Sequence, residues 1–460
     1  MNDIAIVGAG LVGTVLAIHL AKQDFNVTVY DRCPDPRKVK MGRSDRSLMI
    51  VLSARGLHAL DAAGVGDAVR NVALPIYGRT IHAPDGELAF QPYGNNREAL
   101  QAVDRNELNE TLIIEAAKHQ NITFHFEHEC LDVDLSTPKL AFQDADGNQK
   151  EVYHSRVIAA DGAYSRVRQA MQKTRFFDFS QKYLPRSYKE IVIKPDASAG
   201  QSLSNETFHV WPRGTFMLSA FPKADGSFSL SLQLPREGEN TFDTLTTESS
   251  LKAFFQTHFA DVIPLAGDSL MDFLDRREGS MLTIKCFPWS HEDKVLLIGD
   301  AAHGILPFLG QGANAGFEDV MVLLEHIREH GDDWRAIFNH FEQARKPNTD
   351  TIANLSYQNY LILQDAVGDP NFQLRKLIER KIQDLYPDRV SASLYYNIAF
   401  TRTPYEQALQ YDKAYQAVID DIIKVQNIAQ IIDTEQGETV IRDAMNNHWN
   451  GDEVRSPAHD

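Results

Sequence analysis

Gly8-Ala9-Gly10-Leu11-Val12-Gly13 follows directly on the apolar run Ile4-Ala5-Ile6-Val7 and opens a helical stretch from Thr14 to Gln23. Glycines at this spacing, between a strand and a helix, make a phosphate cradle. The first allows a tight turn, the second lets backbone approach a pyrophosphate, and the third brings helix and strand together. The helix N-terminus then faces the phosphates with unpaired N–H groups. A second strand, Asn26 to Tyr30, ends at Asp31, 18 residues after Gly13. A carboxylate there accepts hydrogen bonds from a ribose 2′-OH and repels a 2′-phosphate, so FAD or NAD is expected rather than NADP.

Two later junctions repeat the theme. Val157-Ile158-Ala159-Ala160 runs into Asp161-Gly162, followed by Arg166 and Arg168. Val295-Leu296-Leu297-Ile298 ends at Gly299-Asp300-Ala301-Ala302-His303, and Gly310-Gln311-Gly312-Ala313-Asn314 then opens a helix. An Asp at a strand end can accept from a flavin ribityl hydroxyl. Backbone N–H groups at the helix start can reach the pyrimidine side of an isoalloxazine. Junctions this far apart in the chain imply one nucleotide site assembled from distant segments.

The elements that must position these residues can be read from periodicity. Ser227 to Leu234 alternates strictly, as a strand with one buried face does. With Glu190 to Ile193 and Thr207 to Trp211 it implies a mostly antiparallel sheet. From about Asp350 the pattern turns helical, and Val418, Ile422, Val425, Ala429 and Ile432 form one apolar stripe. The fold class is α/β (α+β overall): a Rossmann-like FAD-binding domain, an inserted mostly antiparallel β-sheet substrate domain, and a C-terminal helical region. The expected boundaries are 1–75, 102–180 and 286–350 for the first, 76–101 and 181–285 for the second, and 351–460 for the third.

Composition excludes several classes. In 460 residues, 46 basic against 63 acidic side chains leave a formal net charge of −17. That surface repels phosphate backbones, so no nucleic-acid partner is expected. Cys33, Cys130 and Cys286 lie far apart without a CxxC pair, which reads as reduced thiols rather than a disulfide or zinc framework. No eighteen apolar residues run together and no basic leader precedes Ile4, so a cytoplasmic protein without a transmembrane anchor is expected. His125, Glu127, His128 and Glu129 could suggest a metal site, but on a strand His125 and His128 point to opposite faces, and no metal is expected. The chain has neither a G-x-S-x-G elbow nor a G-x-x-x-x-G-K-[ST] loop. His303 reads as a structural residue where the chain enters its helix rather than as a base.

Taken in order, the fingerprint, Asp161-Gly162 and the Gly299-Asp300 segment resemble the class A flavoprotein aromatic hydroxylases. Finer features resemble the kynurenine 3-monooxygenase family: Arg46-Ser47, Arg55-Gly56, Gly78-Arg79, Gln91-Pro92-Tyr93-Gly94 and Asp104-Arg105-Asn106-Glu107-Leu108-Asn109. Tyr188-Lys189-Glu190, Trp211-Pro212, Pro307-Phe308, Asn359-Tyr360 and Pro404-Tyr405 continue the likeness over nearly the whole chain. The resemblance implies bound FAD, NADPH as transient co-substrate, O₂, and hydroxylation of L-kynurenine to 3-hydroxykynurenine through a flavin C4a-hydroperoxide. Arg79, Tyr93, Asn359 and Tyr405 would hold the substrate's amino-acid end, with Gln233 at the pocket where an aromatic residue is usual. Pro307 and Phe308 would wall the site, and no side chain is assigned a catalytic role.

The same likeness extends the cofactor set. Gly8, Gly10, Leu11, Val12 and Gly13 would cradle phosphates, Asp31 would meet the ribose, and Asp300, Gly312, Ala313 and Asn314 would lie towards the flavin. Arg32, Arg105, Leu131 and Asp161 would complete the cofactor-binding set. Phe-Leu-Gly-Gln-Gly and the run Phe126 to Leu135 also resemble indole hydroxylases, so another tryptophan-derived aromatic is an alternative substrate. A non-hydroxylating FAD-binding reductase or flavin carrier is an alternative of a different class. Assembly as a homodimer stays open.

Overall fold

β1 (Asp3–Val7) buries Ile4, Ala5, Ile6 and Val7, so it needs strands on both sides and cover on both faces. The computed structural model describes residues 3–39, 48–94, 97–194, 203–365, 370–386 and 393–448; Arg46 and Ser47 lie outside them. In it β1 pairs in parallel with β2 (Asn26–Tyr30) and β12 (Arg156–Ala159). The six-stranded sheet runs β18 (Ser290–His291), β19 (Val295–Leu297), β12, β1, β2, β8 (Ile122–His125). β18 is its one antiparallel member among the described residues. The chain leaves β1 for β2 on one side and returns to β12 on the other. A crevice therefore opens beyond the carboxyl ends of β1 and β12, where α/β sheets bind ligands.

A second sheet has seven strands in the order β17 (Gly279–Phe287), β13 (Asp178–Ile193), β16 (Phe228–Pro235), β15 (Phe216–Pro222), β14 (Thr207–Arg213), β5 (Gly78–His82), β6 (Leu88–Pro92). All neighbours are antiparallel except β14 and β5. Alternation along β16 sends Phe228, Leu230, Leu232 and Leu234 into a core shared with Trp211 and with Phe254 and Phe255 of the Glu248–His258 helix. The other face carries Ser229, Ser231 and Gln233. It is covered by a small sheet of β3 (Met49–Leu52), β7 (Leu100–Asp104) and β4 (Leu74–Ile76), where Met49, Val51 and Ala102 pack with Phe208 and Phe221. The remaining sheet is β11 (Gln149–Tyr153), β10 (Lys139–Gln143) and β9 (Glu129–Asp134).

Helices dominate the rest of the chain. One helix runs unbroken from Trp334 to Asp365, beginning ahead of the expected change at Asp350. A separate apolar core joins Ile378, Ile382, Val418, Ile422, Ile432 and Ile441. The expected single stripe is two pieces: the Tyr405–Ile423 helix ends, Asn427 takes a φ of +61°, and a new turn covers Ile428–Ile431. That break shifts the register, so Ile428 is buried in place of the exposed Ala429. The opposite-face argument for His125 and His128 also fails. β8 ends at His125, Glu127 turns the chain with a φ of +58°, and the two rings stand 5.4 Å apart around Tyr30. Among the described residues no helix is long and apolar enough to cross a membrane.

A buried ion network fixes the loop after β19. Asp319, fully buried, accepts from His303 Nε2 at 2.6 Å, the Gly299 N–H at 3.1 Å and Arg345 Nε at 2.7 Å. Arg345 also reaches Glu318 at 2.6 Å, and Glu318 pairs with the buried Arg55. Burial works against the Asp319 carboxylate, but His303 and Arg345 outweigh it and hold its pKa below the ordinary value. Its stabilisation is therefore complete above the unfolded carboxylate pKa of about 4 and is lost as pH falls through the lower folded value. Asp319→Asn should destabilise the FAD-loaded protein by about 3–5 kcal/mol in urea at pH 7, because buried cations lose their partner. The gap between variant and parent should close on acidification below about pH 4; a gap that is constant with pH would contradict the charge argument.

Candidate active site

The crevice at the end of β1 is built from backbone. Gly8 has a φ of +108°, and a Cβ there would lie 2.4 Å from the Ala160 carbonyl oxygen; one on Gly13 would lie 2.0 Å from the Gly8 oxygen. A Cβ on Gly10 would meet nothing within 4 Å. Two glycines thus close the turn, and the third borders open space at the start of the Leu11–Ala21 helix. Leu11, Val12 and Gly13 begin that helix, whose first N–H groups have no intrahelical acceptor. The Val12 side chain itself packs on Gly299 and Gly316. Asp31 accepts from the Ala9 N–H and the Cys33 N–H, both at 2.7 Å, so its carboxylate also shapes the cradle. Arg32 is exposed beside it.

Carboxylates stand at the neighbouring strand ends. Asp161 accepts from the Arg166 N–H at 2.8 Å through Oδ2, while its Oδ1 is buried without a partner. Burial raises its pKa. Asp300 faces the crevice, where surrounding protein displaces enough water to raise its pKa, partly offset by Arg105. Arg105 begins the Arg105–Ala116 helix, which Asp104 caps by accepting from the Asn106 N–H at 2.9 Å; Lys223 holds Asp104 at 2.7 Å. Leu131 lies half-buried on β9, which packs beside the Arg166–Met171 helix. Gly312, Ala313 and Asn314 form the first turn of the Gly312–His330 helix. The Asn314 side chain is fully occupied: it accepts from the Ser53 N–H at 2.9 Å and donates to Val51 and Gly310 carbonyls at 2.8 Å. Its backbone N–H is what remains for a cofactor.

These features fit a dinucleotide. A cradle with open space at Gly10, an unpaired Asp161 oxygen, Asp300 in the crevice and unpaired helix N–H groups offer donors to phosphate and acceptors to hydroxyls.

On the second sheet, Gly78 lets β5 and β6 approach closely, since a Cβ would lie 2.4 Å from the Gln91 carbonyl oxygen. Arg79 then stands opposite Gln91, and its Nε donates to Gln91 Oε1 at 2.7 Å. Among the described residues no carboxylate pairs with Arg79. Tyr93 lies 5.4 Å, ring to ring, from Tyr395; burial pushes both phenols up, and Arg79 is close enough to oppose this. The structure therefore brings Arg79, Tyr93 and Tyr395 together.

Two expected partners are elsewhere. Tyr405 is fully buried, donates to Gln311 at 2.9 Å, and lies under the Arg55 guanidinium at 3.9 Å. It packs with Leu309 and Ile398, and its hydroxyl is already used, which corrects its expected place beside Arg79. Asn359 donates to the Phe308 carbonyl at 2.8 Å and so fixes the Pro307–Leu309 turn. Phe308 packs on Tyr360 at 5.0 Å, and Pro307 is exposed. Gln233 is 9% exposed on the pocket face of β16. Tyr395 escaped sequence reasoning because only the packing of the Leu394–Phe400 helix against β4 and β7 shows which tyrosine faces Arg79.

Comparison with known proteins agrees with this geometry. A family model described as FAD binding domain matches residues 1–353. Solved structures with the same fold include the tetrameric form of 2-methyl-3-hydroxypyridine-5-carboxylic acid oxygenase, at a TM-score of 0.65 and 18% identity over 80% of this chain and 94% of that one. Another is p-nitrophenol 4-monooxygenase from Pseudomonas putida, at 0.63 and 17% over 81% and 91%. The class is an FAD-dependent monooxygenase, which rests on the following relatives together with the FAD-binding match. Kynurenine 3-monooxygenase of Flavobacterium johnsoniae is 42% identical over 96% of this chain and 98% of its own length; that of Myxococcus xanthus is 36% identical over 96% of each. The chain belongs to the kynurenine 3-monooxygenase family.

The purified protein should be yellow, and Asp31→Ala should lower FAD retention after gel filtration, because the anchor of the Ala9 turn and the expected ribose acceptor are both lost. Retention equal to the parent's would remove Asp31 from the site. Burial pushes the Cys130 and Cys286 thiols up to about 12, whereas Cys33 is exposed. A thiol reagent should therefore modify one cysteine in the folded protein and three after denaturation.

Proposed function

We propose that this enzyme hydroxylates L-kynurenine to 3-hydroxykynurenine, using NADPH and O₂ with bound FAD. The observation that carries this is Arg79: a guanidinium on the pocket face, oriented by Gln91 and flanked by two tyrosines, with no carboxylate among the described residues taking its charge. A ligand carboxylate completes that arrangement through the Nη pair, with Tyr93 and Tyr395 as further donors. In this reading Tyr395 takes the part first expected of Tyr405.

FAD, reduced by NADPH, supplies the oxygen-activating chemistry when bound, and the protein supplies position and exclusion of water. Gly8, Gly10, Gly13 and Asp31 hold the adenosine and phosphate end; Asp161, Asp300, Arg105 and the N–H groups of Gly312 to Asn314 hold the flavin side. From Arg79 the pocket face passes Phe208, stacked on Phe221 at 3.9 Å, so an aromatic ring meets apolar surface. Asn359 keeps Phe308 in place as a wall. An aminophenyl ring is already electron-rich, so this arrangement needs no strong side-chain base. The reduced thiols and acidic surface support a cytoplasmic location.

Arg79→Ala should raise the KM for kynurenine by at least tenfold, since loss of a buried charge-assisted pair costs about 2–5 kcal/mol. Arg79→Lys should recover only part, because the fork is gone. FAD content should not change. The decarboxylated amine should be handled alike by parent and variant; an equal loss for both ligands would make Arg79 structural. Tryptophan and indole acids serve as competing substrates in the same assay.

A further inference from the structure

The pocket face has a second polar feature, three strands away from Arg79 in the order β5, β14, β15, β16. Gln233 is 9% exposed, and its Oε1 is buried with no hydrogen-bond donor. A buried carbonyl in that state is uncommon and destabilising, and a ligand that brings a donor relieves it. The flanking residues show which space it borders. Gln233 stands between Tyr188 on β13 and Met217 on β15 in the sheet register. Tyr188 packs in one cluster with Leu306, Phe308 and Tyr360, and Met217 lines a small cavity with Phe308 and Tyr360. Both neighbours therefore reach the Phe308 wall, at the far end of the pocket from the guanidinium.

We propose that Gln233 reads the ring end of the substrate, its Oε1 accepting a hydrogen bond from a neutral N–H donor carried by the aromatic ring. The ligand class is an arylamine with a carbonyl group ortho to nitrogen. In such a ring one amine hydrogen is bound internally to the carbonyl and the other points outward, free for an acceptor. The surroundings favour a neutral donor. On the same face Glu190 bonds to Ser231, and burial, with Asp104 nearby, pushes its carboxyl up to about 8, so it carries little charge at pH 7. This assignment rests on the reading of the site given above and adds to it: the carboxylate fixes one end of the molecule, and the amine fixes the other.

The test uses FAD-loaded protein and calorimetric Kd values for two ligand pairs: kynurenine against 2-amino-4-oxo-4-phenylbutanoate, which lacks the ring amine, and 2-aminoacetophenone against acetophenone. The parent should prefer the amine-bearing member of each pair by about tenfold, the worth of one hydrogen bond that also relieves a buried acceptor. Gln233→Met, and Gln233→Leu as a second variant, should reduce that preference to less than about twofold. Their FAD content should be retained and their melting temperature equal or higher, because an unpaired polar group has been removed. A parent without preference, or variants that keep it, would overturn the assignment. The fragment pair has no carboxylate, so it reads Gln233 by itself. Failure of the parent to hydroxylate kynurenine, with the fragment preference intact, would instead fall on the function proposed above.

Discussion

Burial of the Asp319 carboxylate constrains much of what surrounds it. A charge at that depth is tolerable only with partners, and His303, the Gly299 N–H and Arg345 supply them. Those contacts decide where β19 ends, how the Asp300 loop leaves it and how the Gly312–His330 helix meets the sheet. The network then extends through Glu318 and Arg55 to the Tyr405 ring, so the helical region is tied to the same point. Removing one member strands the others, so the loop facing the crevice is pinned at Gly299 and His303.

Much of the nucleotide side was legible in the sequence because it is local. Gly8 to Gly13 and Asp31 belong to one β-α-β unit, and the steric demands on Gly8 and Gly13 arise from residues that this unit and its parallel neighbour must bring close. The substrate side was less legible because it is assembled across distance. Arg79 and Tyr93 sit within one hairpin and could be read; their third partner comes from a helix some three hundred residues later. Two tyrosines ten positions apart, Tyr395 and Tyr405, are equivalent as letters. Packing alone gives one to the pocket and the other to Gln311. The stripe across Asn427 and the relative placement of His125 and His128 at the end of β8 were misread for a related reason. A single residue with positive φ resets the periodicity that a sequence argument assumes to continue.

The second sheet does two jobs with its two faces. One is an ordinary apolar core built on Leu230, Leu232 and Leu218. The other is a working surface whose polar side chains are spaced by strand pairing rather than by loops. Strand pairing fixes side-chain position more tightly than a loop can, which suits a reaction that depends on holding a ring in register with a cofactor.

The strand order has an evolutionary corollary. In the proposed binding mode the guanidinium and one of its two tyrosines are encoded in the short hairpin β5–β6, whereas the residue assigned to the ring end lies on β16, more than a hundred positions downstream. Between them stand β14 and β15, whose Phe208–Phe221 pair is indifferent to what either end carries. Substitutions at the two ends can therefore drift separately. A descendant could exchange its aromatic head group by changing one position on β16 while inheriting its grip on amino acids intact.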